Sequence, residues 1–262
     1  MRQKIYQVDA FASELFQGNP AAVCIMEAWP SDELMQNIAM ENNLSETAFL
    51  VKNGERFDIR WFTPGVEVDL CGHATLASAF VIFSFISPEE NILQLFSPRS
   101  GHLTVTRQVD GNLSLNFPAD EIVQIEAIPE LNKAMGITPQ RTFKGKTDIM
   151  LVYNSQSEIE ALQPNFFLMK TLDVRGVIAT APGKDVDFVS RFFAPQSGVD
   201  EDPVTGSAHT SLTPFWSGEL NKDTLFARQL SQRTGDLLCR NLGERVEITG
   251  KAHLYLEGEI HI

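Results

Sequence analysis

One pattern occurs twice in this chain and restricts its fold more than any other feature. Arg60-Trp61-Phe62-Thr63-Pro64 leads to Cys71-Gly72-His73-Ala74, and about half a chain length later Arg191-Phe192-Phe193-Ala194-Pro195 leads to Thr205-Gly206-Ser207-Ala208. Each copy reads as a strand passing through a loop into the small-residue start of a helix. A duplicated unit implies two related halves, with boundaries predicted at residues 1–118 and 119–262 and the last strand free to return to the first half. A ligand clasped between such halves meets two helix N-termini, whose leading N–H groups lack intrahelical partners and whose dipoles are positive. Ligand sites favour interfaces of that kind.

A length of 262 residues accommodates two halves, and 43% hydrophobic with 21% charged residues excludes a disordered chain. The net charge is −13, from 34 acidic and 21 basic residues, with no basic run that could track a phosphate backbone. Nucleic acid is therefore not an expected partner. The most apolar stretch, residues 74–86, is too short to cross about 30 Å of hydrocarbon, and the first residues do not read as a leader; a cytoplasmic location is expected. Cys24, Cys71 and Cys239 form no Cys-x-x-Cys pair, and the five histidines form no His-x-x-x-His pair. Neither disulfide, metal nor cofactor is predicted.

Consecutive strands dominate the reading. Residues 5–10 and 21–26 read as strands joined by a turn containing Gly18-Asn19-Pro20, and Ser31 as the N-cap of a helix running to about residue 42. Strands follow near 47–51 and 57–62. Residues 72–85 are apolar on every side, so a helix there must be enclosed by protein. Leu103, Val105 and Val109, then Leu113, Leu115 and Phe117, alternate about Asp110-Gly111, which signals a hairpin. The second half repeats the theme with apolar runs at 149–153, 174–179 and 186–193, then a helix starting near Gly206 that Pro214 should bend or end. Three alternating runs close the chain. Strands in succession with few helices argue against a parallel doubly wound sheet. Gly145-Lys146-Thr147 is not a phosphate loop, since Gln140 stands where that motif needs glycine.

Gly72 and Gly206, each at a helix start, are candidates to bind a carboxylate and to stabilise an enolate-like charge beside it; tight packing alone is the competing explanation. Cys71 gains acidity from a helix N-terminus. A two-thiol racemase, however, needs cysteine where Thr205 stands, so Cys71 reads as a lining residue. Glu46, at a helix-to-strand junction, can accept and return a proton if it is desolvated there. His73 could orient a substrate group, and Asp202 could hold an amino group or complement the helix dipole. His209 falls inside the second helix as a packing or hydrogen-bonding residue.

Val8-Asp9-Ala10-Phe11, Gly18-Asn19-Pro20-Ala21-Ala22-Val23, Leu44-Ser45-Glu46-Thr47-Ala48-Phe49, the Arg60 and Cys71 motifs, and Glu201-Asp202-Pro203-Val204-Thr205-Gly206-Ser207-Ala208-His209 together resemble the PhzF-like (phenazine biosynthesis-like) proteins. The resemblance implies the α+β diaminopimelate-epimerase fold: two pseudo-symmetric halves, each a mostly antiparallel sheet wrapped around a central helix. It implies Glu46 as acid/base, with His73, Asp202, Gly206 and Ser207 positioning the substrate. Asn19, Cys71 and Gly72 are expected beside the substrate as well. The resemblance also implies a homodimer. The expected activity is a cofactor-independent proton shift on a small carboxylate-bearing acid; a non-catalytic carboxylate-binding protein and a Cys71-dependent racemase remain alternatives.

Overall fold

A computed structural model describes residues 2–262. The chain divides into one unit of residues 2–117 with Ile248–Ile262, and a second unit, Pro118–Glu247. The second half thus ends before residue 262, and the C-terminal strand belongs to the first unit.

The first unit runs β1 (Arg2–Ala10), β2 (Asn19–Met26), α1 (Asp32–Asn42), β3 (Glu46–Asn53), β4 (Arg56–Phe62), β5 (Glu67–Val68), α2 (Gly72–Val81), β6 (Ile92–Ser97), β7 (Gly101–Arg107) and β8 (Leu113–Pro118). Strands β1 and β2 pair antiparallel, β2 and β3 parallel, and β3 and β4 antiparallel. β4 then takes the short β5 antiparallel and β6 parallel, and β6 and β7 pair antiparallel.

The second unit runs β9 (Val123–Ile125), α3 (Pro129–Met135), β10 (Arg141–Lys144), β11 (Asp148–Val152), α4 (Gln156–Ala161), α5 (Phe166–Met169), β12 (Gly176–Pro182), β13 (Phe188–Ala194), β14 (Val199–Asp202), α6 (Ala208–Leu220), β15 (Thr224–Gln229) and β16 (Gly235–Asn241). The pairing series is the same: β10 with β11 antiparallel, β11 with β12 parallel, β12 with β13 antiparallel, β13 with β14 antiparallel and with β15 parallel, β15 with β16 antiparallel. The duplication read from two short motifs therefore extends to strand order and direction. β17 (Arg245–Gly250) and β18 (Ala252–His261) complete the chain, and β18 pairs along the whole of β1.

Local chemistry explains the elements around the site. Ser31 caps α1 by accepting from the Leu34 N–H, with Asp32 and Glu33 in the first turn where the dipole favours them. Ala22, Cys24 and Met26 alternate onto the face covered by Met35, Ile38 and Ala39 of α1. Helix α2 packs against β1, β2 and β3. Nine of its ten residues are buried, as an apolar circumference requires.

Some expectations shift in position. Asn19 and Pro20 lie in β2, opposite Ala10 and Asp9, instead of in the turn. Gly18 makes the turn: its φ is +67°, and a Cβ there would lie 2.2 Å from the Ala10 carbonyl oxygen. Val109 leaves the alternation and is fully exposed in the hairpin loop, where Gln108 and Gly111 form the turn. Helix α6 continues past Pro214 to Leu220.

Candidate active site

Strands β2 and β3 run in the same direction, with Ala21 opposite Glu46, so both begin at one end of the sheet. The short passage from α1 fixes that start. Asn43 takes the left-handed conformation (φ 49°) and donates its N–H to the Ala39 carbonyl, ending the helix three residues before Glu46. Asn42 donates its side-chain amide to Thr47 Oγ1, and Thr47 is buried. Because side chains alternate along a strand, the inward Thr47 sends Glu46 to the opposite face.

There Glu46 meets the beginning of α2. Its Oε2 lies 3.1 Å from His73 Nε2, and the Asn19 side-chain nitrogen lies 3.1 Å from His73 Nδ1. The Asn19 N–H donates to Nδ1, so in the neutral ring Nε2 carries the hydrogen and faces Glu46 Oε2 without completing a hydrogen bond to it. Cys71, the N-cap residue of α2, places Sγ 3.6 Å from Nδ1 and 3.9 Å from Nε2. His73 and Cys71 are 4% and 7% exposed, and the Glu46 side chain 16%. The site is therefore shielded but reachable through the carboxylate. Glu46, Cys71 and His73 each offer one donor atom, all within 4.8 Å of one another; these are the residues that could hold a metal ion.

Of the residues singled out by sequence, Asn19, Glu46, Cys71 and His73 come together in the first unit, with Gly72 the first residue of α2. In the second unit Gly206 and Ser207 form a turn just before α6, so this helix starts two residues later than its counterpart. The His209 and Thr210 N–H groups bond back to the Gly206 and Ser207 carbonyls. Thr205 donates its hydroxyl to Asp202 Oδ2.

Sequence reasoning missed Gln229, a fully buried residue at the end of β15. Its Oε1 accepts the Thr205 backbone N–H at 2.8 Å, and its Nε2 donates to the Asp202 carbonyl at 2.7 Å and to Thr205 Oγ1 at 3.2 Å. One amide thus fixes both ends of the segment leading into α6. The available signal is its place in the strand alternation, on the inward face with Leu225 and Ala227; a polar side chain there must be hydrogen-bonded.

His209 is buried and donates Nδ1–H to the Thr205 carbonyl at 2.8 Å. Burial lowers its pKa to about 4 despite that bond, so the ring is neutral near pH 7. This is a packing and hydrogen-bonding role.

Comparison with known proteins agrees with the duplicated fold. The chain is 50% identical to an uncharacterized isomerase of Pseudomonas aeruginosa, over the full length of both proteins. The crystal structure of a PhzF-family phenazine biosynthesis protein from Enterococcus faecalis superposes with a TM-score of 0.96 at 46% identity, covering all of both chains. A hydroxyproline epimerase from Agrobacterium vitis shares the fold at 13% identity, with a TM-score of 0.65 over 99% of this chain and 92% of that one. Residues 8–258 match the phenazine biosynthesis-like (PhzC-PhzF) family, and the chain belongs to it as an isomerase.

Proposed function

We propose that the isomerisation is a cofactor-independent proton shift along a small carboxylate-bearing substrate, an amino acid or cyclic acid, with Glu46 as the sole acid/base. The observation that carries this reading is the shielded Glu46 carboxylate held 3.1 Å from His73 Nε2. His73, fixed on its far nitrogen by Asn19, restrains the carboxylate without an opposing strong base.

In the forward step the Glu46 carboxylate takes a proton from a carbon next to an unsaturated or carboxyl-bearing carbon, leaving an enolate-like anion and a neutral carboxylic acid. The acid then returns the proton to a different carbon. The N–H groups at the start of α2, near Gly72, offer stabilisation to the developing negative charge. Asp202, Gly206 and Ser207 are proposed to position the substrate's amino and carboxylate groups.

A single base is favoured over stereochemical inversion by two thiols. The residue matching Cys71 in the repeat is Thr205, whose hydroxyl already donates to Asp202. A hydroxyl is also far too weakly acidic to replace a thiolate without activation.

The test is deuterium uptake from heavy water into a panel of small amino and cyclic acids. The wild-type protein should label at least one acid at carbon, and folded Glu46→Gln should lower that rate by about 10³-fold, within the range of general acid–base catalysis. A folded Glu46→Gln protein with undiminished exchange rules out the assignment. No exchange with any acid favours a carboxylate-binding protein.

A further inference from the structure

We propose that Glu46, Cys71 and His73 form a binding site for a thiophilic divalent metal ion, Zn²⁺ or Co²⁺, and that occupation of this site inhibits the enzyme. Binding stands on the cluster alone; the inhibitory consequence rests on the reading of Glu46 as the base.

The donor set is thiolate, imidazole and carboxylate, the combination that borderline-soft ions accept and that hard ions such as Mg²⁺ and Ca²⁺ do not. Bonds of about 2.0–2.3 Å to a tetrahedral ion hold ligand atoms about 3.3–3.7 Å apart. Here His73 Nε2 stands 3.1 Å from Glu46 Oε2 and 3.9 Å from Cys71 Sγ, and all three donors fall within 4.8 Å of one another. Shifts of a fraction of an ångström suffice for the first two separations, and a rotation about the Glu46 side chain supplies the third.

The outer contacts also suit a metal. Metal-bound histidines are oriented by a hydrogen bond on the ring nitrogen that does not bind the ion, and Asn19 already occupies that place on His73. A half-turn of its amide presents the carbonyl oxygen instead and accepts an Nδ1–H, freeing the Nε2 lone pair. Cys71, the N-cap residue of α2, turns its sulfur to the same imidazole, 3.6 Å from Nδ1 and 3.9 Å from Nε2. Three protein ligands leave the fourth position of a tetrahedral ion open to solvent or to an acid's carboxylate.

Occupation and proton transfer exclude each other, because the carboxylate lone pair that would take the proton is the one that binds the ion. Inhibition should therefore track occupancy, and a chelator should reverse it.

The experiment is titration of the untagged, metal-free protein with Co²⁺, followed by absorption. A thiolate-to-cobalt charge-transfer band in the near ultraviolet should appear, disappear when Zn²⁺ is added, and be lost in Cys71→Ser. Glu46→Gln should weaken Co²⁺ binding at least tenfold. Zn²⁺ should also protect Cys71 from alkylation by iodoacetamide, read by peptide mass, which decides the matter should Cys71→Ser not fold. No charge-transfer band, a band retained by folded Cys71→Ser, or Zn²⁺-independent alkylation overturns the site. Because these readouts need no substrate, a failed deuterium-exchange screen leaves them decisive, while cobalt binding without Zn²⁺ inhibition of a measured exchange overturns the inhibitory claim alone.

Discussion

In each half an arginine on the fourth strand of the repeated series grips a glutamate with both oxygens. Arg60 reaches Glu67 at 2.7 and 2.8 Å, and Arg191 reaches Glu201 at 2.7 and 2.9 Å. Each pair anchors the segment that enters the buried helix. Strand register extends the equivalence residue by residue: Thr47 faces Phe62 as Val177 faces Phe193, so the position before them is Glu46 in one half and Gly176 in the other. Aligned on the motif glycines, Gly72 and Gly206, Cys71 matches Thr205, His73 matches Ser207 and Thr75 matches His209. The scaffold has stayed the same while the chemistry has diverged. The first half holds a carboxylate, a thiol and an imidazole in one cluster; the second has glycine, threonine and serine at those places, and sets Asp202 and Gln229 beside the threonine. A duplicated frame has thus produced one half with a carboxylate beside an imidazole and one without a counterpart to Glu46.

The sharpest way to break this contrast is to remove one acid from each half. Glu46→Gln should reduce deuterium exchange by about 10³-fold, roughly 4 kcal/mol of barrier. Asp202→Asn, which keeps an acceptor for the Thr205 hydroxyl, should reduce it by about tenfold. Equal losses, measured with both variants folded, would show that the two halves share the proton-handling role.

Stability offers the next contrast. Arg191 also donates to the Ile159 and Leu162 carbonyls, whereas Glu67 has a second cationic partner in Arg99. Arg191→Leu strands a partly buried carboxylate and two carbonyls and should cost about 3 kcal/mol, near the lower end for broken buried pairs. Arg60→Leu leaves Glu67 with Arg99 and should cost about 1–2 kcal/mol. Urea denaturation of the two variants checks the order; a larger loss for Arg60→Leu would mean that the equivalent pairs are not equally embedded.

How far these features can be read from sequence depends on the length of the pattern that encodes them. Two five-residue strand motifs, followed 12 and 15 residues after their arginines by a glycine at a helix start, expose the duplication. The apolar run at residues 72–85 requires an enclosed helix, and the structure encloses it only as far as Phe83, since Ser84, Phe85 and Ile86 after that are exposed. Helices α3, α4 and α5 span seven, six and four residues, too few for a 3.6-residue period to declare itself. Glu46 stands out through resemblance more than through pattern, because its partner His73 lies on α2 and only the packing of that helix against β2 and β3 brings them together. The histidine and cysteine spacing likewise gave no metal signal, since the third donor comes from β3. Gly18-Asn19-Pro20 reads as turn chemistry throughout, yet the connection, with positive φ at Phe11, Phe16 and Gly18, ends at Gly18, and Asn19 already begins β2 beside His73.

Helix α6 supplies a pH-dependent difference. Thr75 and His209, at matching positions, both bond back to the carbonyl four residues earlier, those of Cys71 and Thr205. Only the histidine titrates. Its pKa falls from 6.5 to about 4 on folding because burial disfavours the charged ring, so the unfolded chain takes up the proton first as pH drops. The contribution is complete above pH 6.5 and is lost as pH falls from there through about 4, by about 3 kcal/mol in total. His209→Thr, which copies the first half, should remove this limb from a plot of stability against pH even if it lowers the plateau. An unchanged slope between pH 6.5 and 4 would assign the acid sensitivity to other groups.

The smallest effect addresses why the second half lacks a counterpart of Glu46. A Cβ on Gly176 would lie 2.5 Å from the Phe192 ring and 2.6 Å from Asp148 Oδ1. Phe192 is 4% exposed and Asp148 is tied to Arg175, so neither neighbour can withdraw freely. Gly176→Ala should therefore destabilise by about 2 kcal/mol, the scale of overpacking a filled core. Glu46→Ala, which at the equivalent position removes atoms and adds none, should stay within about 1 kcal/mol of the parent. Thermal or urea midpoints of the two alanine variants decide it. If Gly176→Ala is as benign as Glu46→Ala, the second half has room for a side chain, and the absence of an acid there is a matter of chemistry instead of space.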